Sequence, residues 1–143
     1  MSKTYLLIFI FLFFCACSHT NNFKKVEVVS VYDGDTFKVN LPCKKDVFCK
    51  GISVRVKGID TPEIKTKNID QKEIALSAKD FTDRLLSDGE IILKNCTRGK
   101  YFRLLCDVFI IKAKEEINLA KELLSSDLAV KYDGKTKSCT NKI

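Results

Sequence analysis

Acidic and basic side chains gather in three short stretches of this sequence. Residues 33–36 read DGDT, Arg55 is followed by DTPE at residues 60–63, and residues 100–103 read KYFR. Each stretch taken alone is typical of a surface turn, and Asp-Gly in particular is a common turn pair. Taken together, the three stretches indicate a site with a defined chemistry.

The combined residue types are those that hydrolysis of a phosphodiester requires. Two carboxylates and a backbone oxygen suit a hard cation such as Ca²⁺. A separate carboxylate, Glu63, can orient or deprotonate a water molecule. Arg55 and Arg103 can hold a phosphate and balance the negative charge that develops during the reaction.

Three strands must position the first two stretches. Residues 26–31 are rich in β-branched side chains and lead into the first acidic turn. Apolar and polar residues then alternate over residues 37–41 and again over 52–57, as in half-buried strands. Arg55 falls on the polar face of the third strand, and residues 60–63 form the turn after it.

A helix is predicted in the middle of the chain. Ile74, Ala78, Phe81 and Leu85 recur at the spacing of one helical face, and the helix is expected to end near the Asp-Gly pair that follows. The polar residues 65–72 before it are expected to form a surface loop.

The third stretch falls in a predicted hairpin. Residues 91–93 form a short strand, Arg98-Gly99 marks a turn, and residues 101–111 form the next strand, with Phe102 and Cys106 on its apolar face. A second helix is expected over residues 118–128. Five short, mostly antiparallel strands and two helices predict an α+β protein built on a small barrel.

Composition limits the classes of function. A chain of 143 residues with 45% apolar and 30% charged residues is typical of one globular domain. The single histidine excludes chemistry that needs two histidines and a zinc site built mainly from them. A net charge of +7 is compatible with ordinary solubility, but it also suits an anionic partner such as nucleic acid.

The N-terminus has the layout of a bacterial export signal. Residues 5–14 are an unbroken apolar run after a lysine, and small residues follow. Residues 14–17 (FCAC) also resemble a lipobox, which favours lipid attachment at Cys17 over ordinary cleavage after Ser18. We therefore expect a signal peptide of the lipoprotein type over residues 1–16, a tether over 17–24 and one domain over 25–143, exported and either membrane-anchored or freely secreted.

Export exposes the remaining cysteines to oxidising conditions. Cys43 and Cys49 flank a short loop between two strands and are predicted to form a disulfide. Cys106 is predicted to be a buried free thiol, which leaves Cys96 and Cys139 as a second candidate pair.

The ordered motifs VYDGDTFKV, VRVKGIDTPE, RGKYFR and NLAKELLSSDLAVKYDG resemble the staphylococcal nuclease family over residues 25–132. The resemblance implies an OB-fold, a five-stranded β-barrel with two to three packed helices. It also implies Ca²⁺-dependent endonucleolytic cleavage of DNA and RNA with low sequence specificity. In this chain Phe102 stands where the family's last motif usually has a glycine.

The resemblance also implies roles for individual residues. Asp35 and Asp60 would bind Ca²⁺ through carboxylates and Thr61 through its carbonyl, with Asp33 in support. Glu63 would act on the attacking water, while Arg55 and Arg103 would bind the scissile phosphate. The residues expected to contact the rest of the substrate are Lys100, Tyr101 and Tyr132.

Two other functions compete with a nuclease that acts outside the cytoplasm as a monomer. The chain could be an OB-fold surface lipoprotein that binds nucleic acid without cleaving it, or a structural lipoprotein that keeps only the scaffold. The presence of all the acidic residues and both arginines favours the enzyme.

Overall fold

The computed structural model describes residues 21–43 and 49–134. The expected signal peptide, the lipidation site at Cys17 and the candidate partner Cys139 lie outside the described residues.

Five strands form the closed barrel that the sequence predicts. β1 (Phe23–Asp33), β2 (Thr36–Asn40) and β3 (Ile52–Val56) form an antiparallel meander. β5 (Glu90–Arg98) pairs with β1 on one side and with β6 (Leu104–Lys112) on the other, again antiparallel. A parallel pairing of β3 with β6 closes the ring. The α+β OB-fold expectation is therefore confirmed.

The remaining strands are short. β4 (Ile59–Asp60) pairs with β8 (Val130–Lys131) in a separate two-stranded ladder. β7 (Glu115–Asn118) extends the barrel sheet beside β6. β4 matters for the site because it carries Asp60.

Two α-helices pack on the barrel in the described part of the chain. α1 (Ile69–Ser87) begins at Asn68, whose side chain accepts a hydrogen bond from the Gln71 amide. α2 (Leu119–Ser125) begins in the same way at Asn118. No helix within residues 21–43 and 49–134 is long and apolar enough to cross a membrane.

The barrel interior and the inner faces of the helices form one apolar core. Its largest fully buried members come from strands and helices alike: Phe37, Ile59, Leu93, Ile110, Leu119 and Leu123. The core fixes the strand ends from which the acidic and basic stretches emerge.

The structure corrects several predicted boundaries. β1 begins at Phe23, inside the stretch expected to be a tether. α1 begins at Ile69, so the second half of the expected 65–72 loop is helical. The strand expected from residue 101 begins at Leu104, because residues 100–102 form a 3₁₀ turn. Phe102 is 84% exposed and does not lie on an apolar strand face.

The structure contains two disulfides among the described residues. The predicted Cys43–Cys49 bond is present, with a Cα–Cα distance of 6.2 Å. The second bond joins Cys96 to Cys106, with a Cα–Cα distance of 4.3 Å. The prediction that Cys106 is a free thiol and that Cys96 pairs with Cys139 is therefore wrong.

A bulge in β5 explains the Cys96–Cys106 pairing. Lys94 pairs with Asp107, but Thr97 pairs with Leu105, so two residues of β5 oppose one of β6. The first of the two, Asn95, has a positive φ of 51°, as in bulges whose first residue is left-handed. The extra residue turns Cys96 into the barrel, opposite Cys106.

Candidate active site

The turn between β1 and β2 is held from behind by α1. A Cβ on Gly34 would lie 2.7 Å from the Ala78 Cβ and 2.9 Å from Thr61 Cγ2, so only glycine fits between the helix and the neighbouring loop. Thr82 Oγ1 donates a 2.7 Å hydrogen bond to the Gly34 carbonyl. The turn that carries Asp33 and Asp35 is thus fixed by helix packing.

Asp35 is buried within a ring of hydrogen-bond donors. Its side chain is 1% exposed. Oδ1 accepts hydrogen bonds from Thr36 Oγ1 at 2.8 Å and from Arg55 at 2.7 Å. Oδ2 accepts one from the Thr61 amide at 3.0 Å. The Asp35 amide in turn donates to Asp33 Oδ1 at 3.3 Å.

Arg55 connects the two acidic stretches. Thr36 and Arg55 are partners in the β2–β3 ladder, which places the guanidinium beside the first acidic turn. One terminal nitrogen of Arg55 donates to Asp35 and the other to Asp60 Oδ1 at 2.5 Å. The Arg55 side chain therefore contacts both carboxylates that are expected to bind the metal.

Burial and ion pairing have opposite effects on the pKa values of Asp35 and Arg55. Desolvation raises the pKa of Asp35 to about 7, and the nearby Asp33 charge acts in the same direction, against the lowering effect of Arg55. For Arg55, burial acts to lower the pKa, but the Asp35 and Asp60 carboxylates outweigh it and the pKa is raised. Arg55 therefore stays positively charged, whereas burial disfavours the negatively charged form of Asp35.

The donor chemistry of the cluster fits a hard divalent cation. A carboxylate offers about four lone-pair positions, and Asp35 uses three of them for hydrogen bonds. Among residues 21–43 and 49–134, no three His, Cys, Asp or Glu side chains form a metal-binding group. A cation here would therefore combine the carboxylates of Asp35 and Asp60 with backbone oxygen and water, a mixture that Ca²⁺ accepts.

The KYFR stretch at residues 100–103 lies near Arg55, because the parallel pairing of β3 with β6 brings the two together. Arg55 and Leu105 are partners in the β3–β6 pairing, and Arg103 is extended (φ −79°, ψ 148°) two residues earlier. Side chains two residues apart on extended backbone point to the same face, so Arg103 and Arg55 share one face. The Arg103 Nε is buried and has no hydrogen-bond partner in the described part of the chain.

The other predicted site residues occupy the rim. Glu63 is exposed, and its carbonyl accepts a 3.1 Å hydrogen bond from the Thr66 amide. Lys100 and Tyr101 lie in the exposed 3₁₀ turn before Arg103. The Tyr132 amide donates to the Gly58 carbonyl, which places Tyr132 beside β4.

A family model described as "Staphylococcal nuclease homologue" matches residues 53–143. The chain belongs to the staphylococcal nuclease family. Among curated proteins, the chain is similar to a Thermonuclease from Staphylococcus hyicus, with 31% identity over 106 residues. That match covers 73% of this chain and 59% of the length of the relative.

Two features of this family member are missed by sequence reasoning. The first is Thr82, which supports the acidic turn. The sequence does indicate its position, because Thr82 lies four residues from both Ala78 and Leu86 and so shares their buried helical face. The second is the exposure of Phe102 next to Arg103. Alternation over residues 101–111 places Phe102 in the core, because the pattern does not indicate the turn that interrupts it.

Proposed function

We propose that this protein is a Ca²⁺-dependent nuclease that hydrolyses phosphodiester bonds in DNA and RNA with low sequence specificity. The observation that carries the proposal is the Asp35–Arg55–Asp60 cluster, in which a partly buried arginine contacts both carboxylates. Membership of the staphylococcal nuclease family supports the same reaction class.

Asp35, Asp60 and the Thr61 carbonyl would hold the ion, with Asp33 in support. The chemistry supplied by such an ion is Lewis-acid polarisation of a phosphoryl oxygen. Thr61 donates its backbone amide to Asp35, which keeps the expected carbonyl ligand close to the expected carboxylate ligand. A bound cation would stabilise the charged form of Asp35 that burial disfavours, which supports a cation at this place.

The two arginines would bind the scissile phosphate. Arg55 has five N–H groups and uses two for carboxylates, so others remain for a phosphate oxygen. The buried Arg103 Nε has no partner in the described chain, and an unsatisfied buried donor is costly unless a ligand accepts from it. Both charges would stabilise the additional negative charge of five-coordinate phosphorus.

Glu63 would orient or deprotonate the attacking water. It lies two residues after the Thr61 anchor, and Pro62 restricts the backbone between them. Lys100 would contact a neighbouring phosphate, and the rings of Tyr101 and Tyr132 would contact the rest of the substrate. These contacts involve no reading of base edges, which is consistent with low specificity.

Incubation of the purified protein with plasmid DNA and with RNA tests the proposal. We expect degradation of both in Ca²⁺ and none after chelation. Asp35→Asn should raise the Ca²⁺ concentration needed for activity, because one anionic ligand is lost. Binding without degradation would instead support the non-catalytic OB-fold module, and neither binding nor degradation would support a structural lipoprotein.

We also propose that the protein acts outside the cytoplasm as a lipid-anchored monomer. Two disulfides support an oxidising compartment, and the FCAC sequence at residues 14–17 supports lipid attachment to Cys17. Several acyl chains anchor a protein stably, whereas one holds weakly. Mass spectrometry of the native N-terminus should find a lipid-modified Cys17, and a free amine at His19 would establish ordinary secretion instead.

A further inference from the structure

Two aromatic rings stand in solvent next to the candidate phosphate site. Tyr101 is 82% exposed and Phe102 is 84% exposed, the highest values among the large apolar side chains of the described residues. Phe102 immediately precedes Arg103 and lies three residues before Leu105, the ladder partner of Arg55. Both rings therefore belong to the turn that leads directly into Arg103.

The backbone holds both rings outward in an unusual conformation. Tyr101 and Phe102 have φ values of 58° and 56°. These lie in the left-handed region, which glycine adopts readily and most other residues adopt rarely. Such strain persists where the surroundings fix it and is often associated with function. Two consecutive aromatic residues in this region require a firmly defined turn.

Two backbone hydrogen bonds close the turn that carries Tyr101 and Phe102. The Gly99 amide donates to the Arg103 carbonyl at 2.8 Å, and the Arg103 amide donates to the Lys100 carbonyl at 3.3 Å. A Cβ on Gly99 would lie 2.7 Å from Leu105 Cδ1, so glycine is required for this close approach. The rings are thus presented by a turn closed onto β6.

Each of the two rings has an arginine beside it. The Arg98 guanidinium lies 5.6 Å from the Phe102 ring centroid, and the Arg103 guanidinium lies 5.7 Å from that of Tyr101. Lys100 is exposed in the same turn. An exposed π-face flanked by cations matches an alternating ligand of bases and phosphates, because bases stack on aromatic rings while the cations neutralise the phosphates.

We infer that Phe102 is a stacking platform for an unpaired nucleobase next to the phosphate held by Arg103, with Arg98 supporting the ring and contacting the adjoining phosphate. The inference rests on the proposed function for its substrate class and adds Phe102 as a residue that binds a base of that substrate. A base paired within a duplex has no free face to offer, so the platform favours single strands.

Binding without metal tests the platform separately from catalysis. The probes are a fluorescent single-stranded oligo-dT and an oligonucleotide of equal length whose residues are abasic. In chelator, Phe102→Ala should weaken oligo-dT binding about 5- to 150-fold and leave binding of the abasic strand unchanged. Phe102→Leu, which keeps an apolar side chain without a π-face, should behave like Phe102→Ala, and Phe102→Trp should bind oligo-dT like the parent protein.

Ile69→Ala is the matched control. Ile69 is 74% exposed and begins α1, a different element, so its loss should change neither affinity. In Ca²⁺, Phe102→Ala should raise KM for oligo-dT and retain kcat. A parent protein that binds oligo-dT through Phe102 but cleaves nothing would overturn the proposed function alone.

Two results would overturn the inference while leaving the nuclease proposal intact. Equal affinity of Phe102→Ala and the parent for oligo-dT would show that the ring does not stack, as would an equal loss on the abasic strand. Weaker binding of Phe102→Ala to anionic lipid vesicles, with unchanged oligo-dT affinity, would assign the exposed rings to membrane contact instead.

Discussion

Arg55 links the stability of the candidate site to its chemistry. It is the cation that contacts both Asp35 and Asp60, and Asp35 is almost completely buried. Removing one partner of a buried ion pair leaves an uncompensated charge and typically costs about 3–5 kcal/mol. An inactive Arg55 variant would therefore not distinguish lost chemistry from lost folding. Glu63, which is exposed, and Arg103, whose Nε has no hydrogen-bond partner within residues 21–43 and 49–134, are better probes.

Substitution of these two residues should reduce turnover without unfolding the protein. Glu63→Gln removes the carboxylate that acts on water and should lower kcat by about 10²–10⁴. Arg103→Ala removes a charge stabiliser and should lower kcat by about 10²–10³. DNA hydrolysis across a Ca²⁺ titration measures both effects, and circular dichroism checks folding.

Arg84→Ala is the control for the loss of an arginine, because Arg84 donates to the Asp80 carbonyl of its own helix. Its activity should equal that of the parent protein. A folded Glu63→Gln variant with near-normal turnover would refute the assigned mechanism even if the protein proved to be a nuclease.

Asp35 should give the metal-free protein a characteristic pH dependence. Its carboxyl ionises with a pKa near 3.8 in the unfolded chain and about 7 in the folded protein. Between these values the folded state binds more protons than the unfolded state, so the free energy of unfolding falls as pH rises from about 4 to about 7. Asp35→Asn lacks this contribution.

Urea denaturation in chelator at several pH values measures the difference between Asp35→Asn and the parent. The advantage of the variant should grow from pH 4 to pH 7 and then level off. The side-chain amide of the Asp35→Asn variant also changes the hydrogen bonds from Thr36 and Thr61. The effect of that change on the free energy of unfolding is the same at each pH. Parallel stability profiles would contradict the raised pKa of Asp35.

At the scale of the elements, the sequence predicts what strong local patterns determine. Alternation locates β2 and β3, and the ordered motifs identify the acidic residues that the structure brings to Arg55. A side-chain cap marks the start of α1, since Asn68 accepts a hydrogen bond from the Gln71 amide and the exposed first turn carries no apolar periodicity. Residues 113–114 both have positive φ without glycine, so the hairpin into β7 lacks its usual sequence signal.

The bulge in β5 is the clearest feature that the alternation of apolar and polar residues does not predict. A single inserted residue decides whether Asn95 or Cys96 faces Cys106, and periodicity does not specify it. The Cys96–Cys106 bond in turn joins adjacent strands just behind the turn that carries Arg103. The bond therefore supports the geometry of the site as well as the barrel.

Loss of this disulfide should destabilise the barrel more than loss of the exposed one. A bond that closes a ten-residue separation contributes roughly 2–3 kcal/mol in the chain-entropy model. Cys96→Ala with Cys106→Val should lower the free energy of unfolding by about that amount. Urea denaturation measures the loss, with Cys43→Ser and Cys49→Ser together as the matched control. Non-reducing peptide mapping that linked Cys96 to Cys139 would contradict the assignment directly.

At the scale of the whole molecule, two features bear on the binding of nucleic acid: the closure of the barrel and the positive net charge of the sequence. The barrel has no free edge between β3 and β6, and that seam places the KYFR turn beside Arg55. The sequence has a net charge of +7, whereas the carboxylates of Asp35 and Asp60 lie at the centre of the candidate site. A negatively charged polymer is therefore attracted by the surface as a whole, while a cation and two arginines would be needed at the centre.

Binding of single-stranded DNA should weaken as salt rises, because bound lysines and arginines release counterions from the phosphates. The logarithm of the binding constant should fall linearly with the logarithm of salt concentration, with a slope of about −0.7 for each phosphate contacted. Lys100→Gln should reduce the size of that slope by about 0.7. Lys112→Gln should leave it unchanged, because Lys112 lies at the far end of β6 and its Nζ is 2.6 Å from Asp88. Fluorescence anisotropy in chelator gives both slopes, and an affinity that did not vary with salt would rule out binding driven by phosphate contacts.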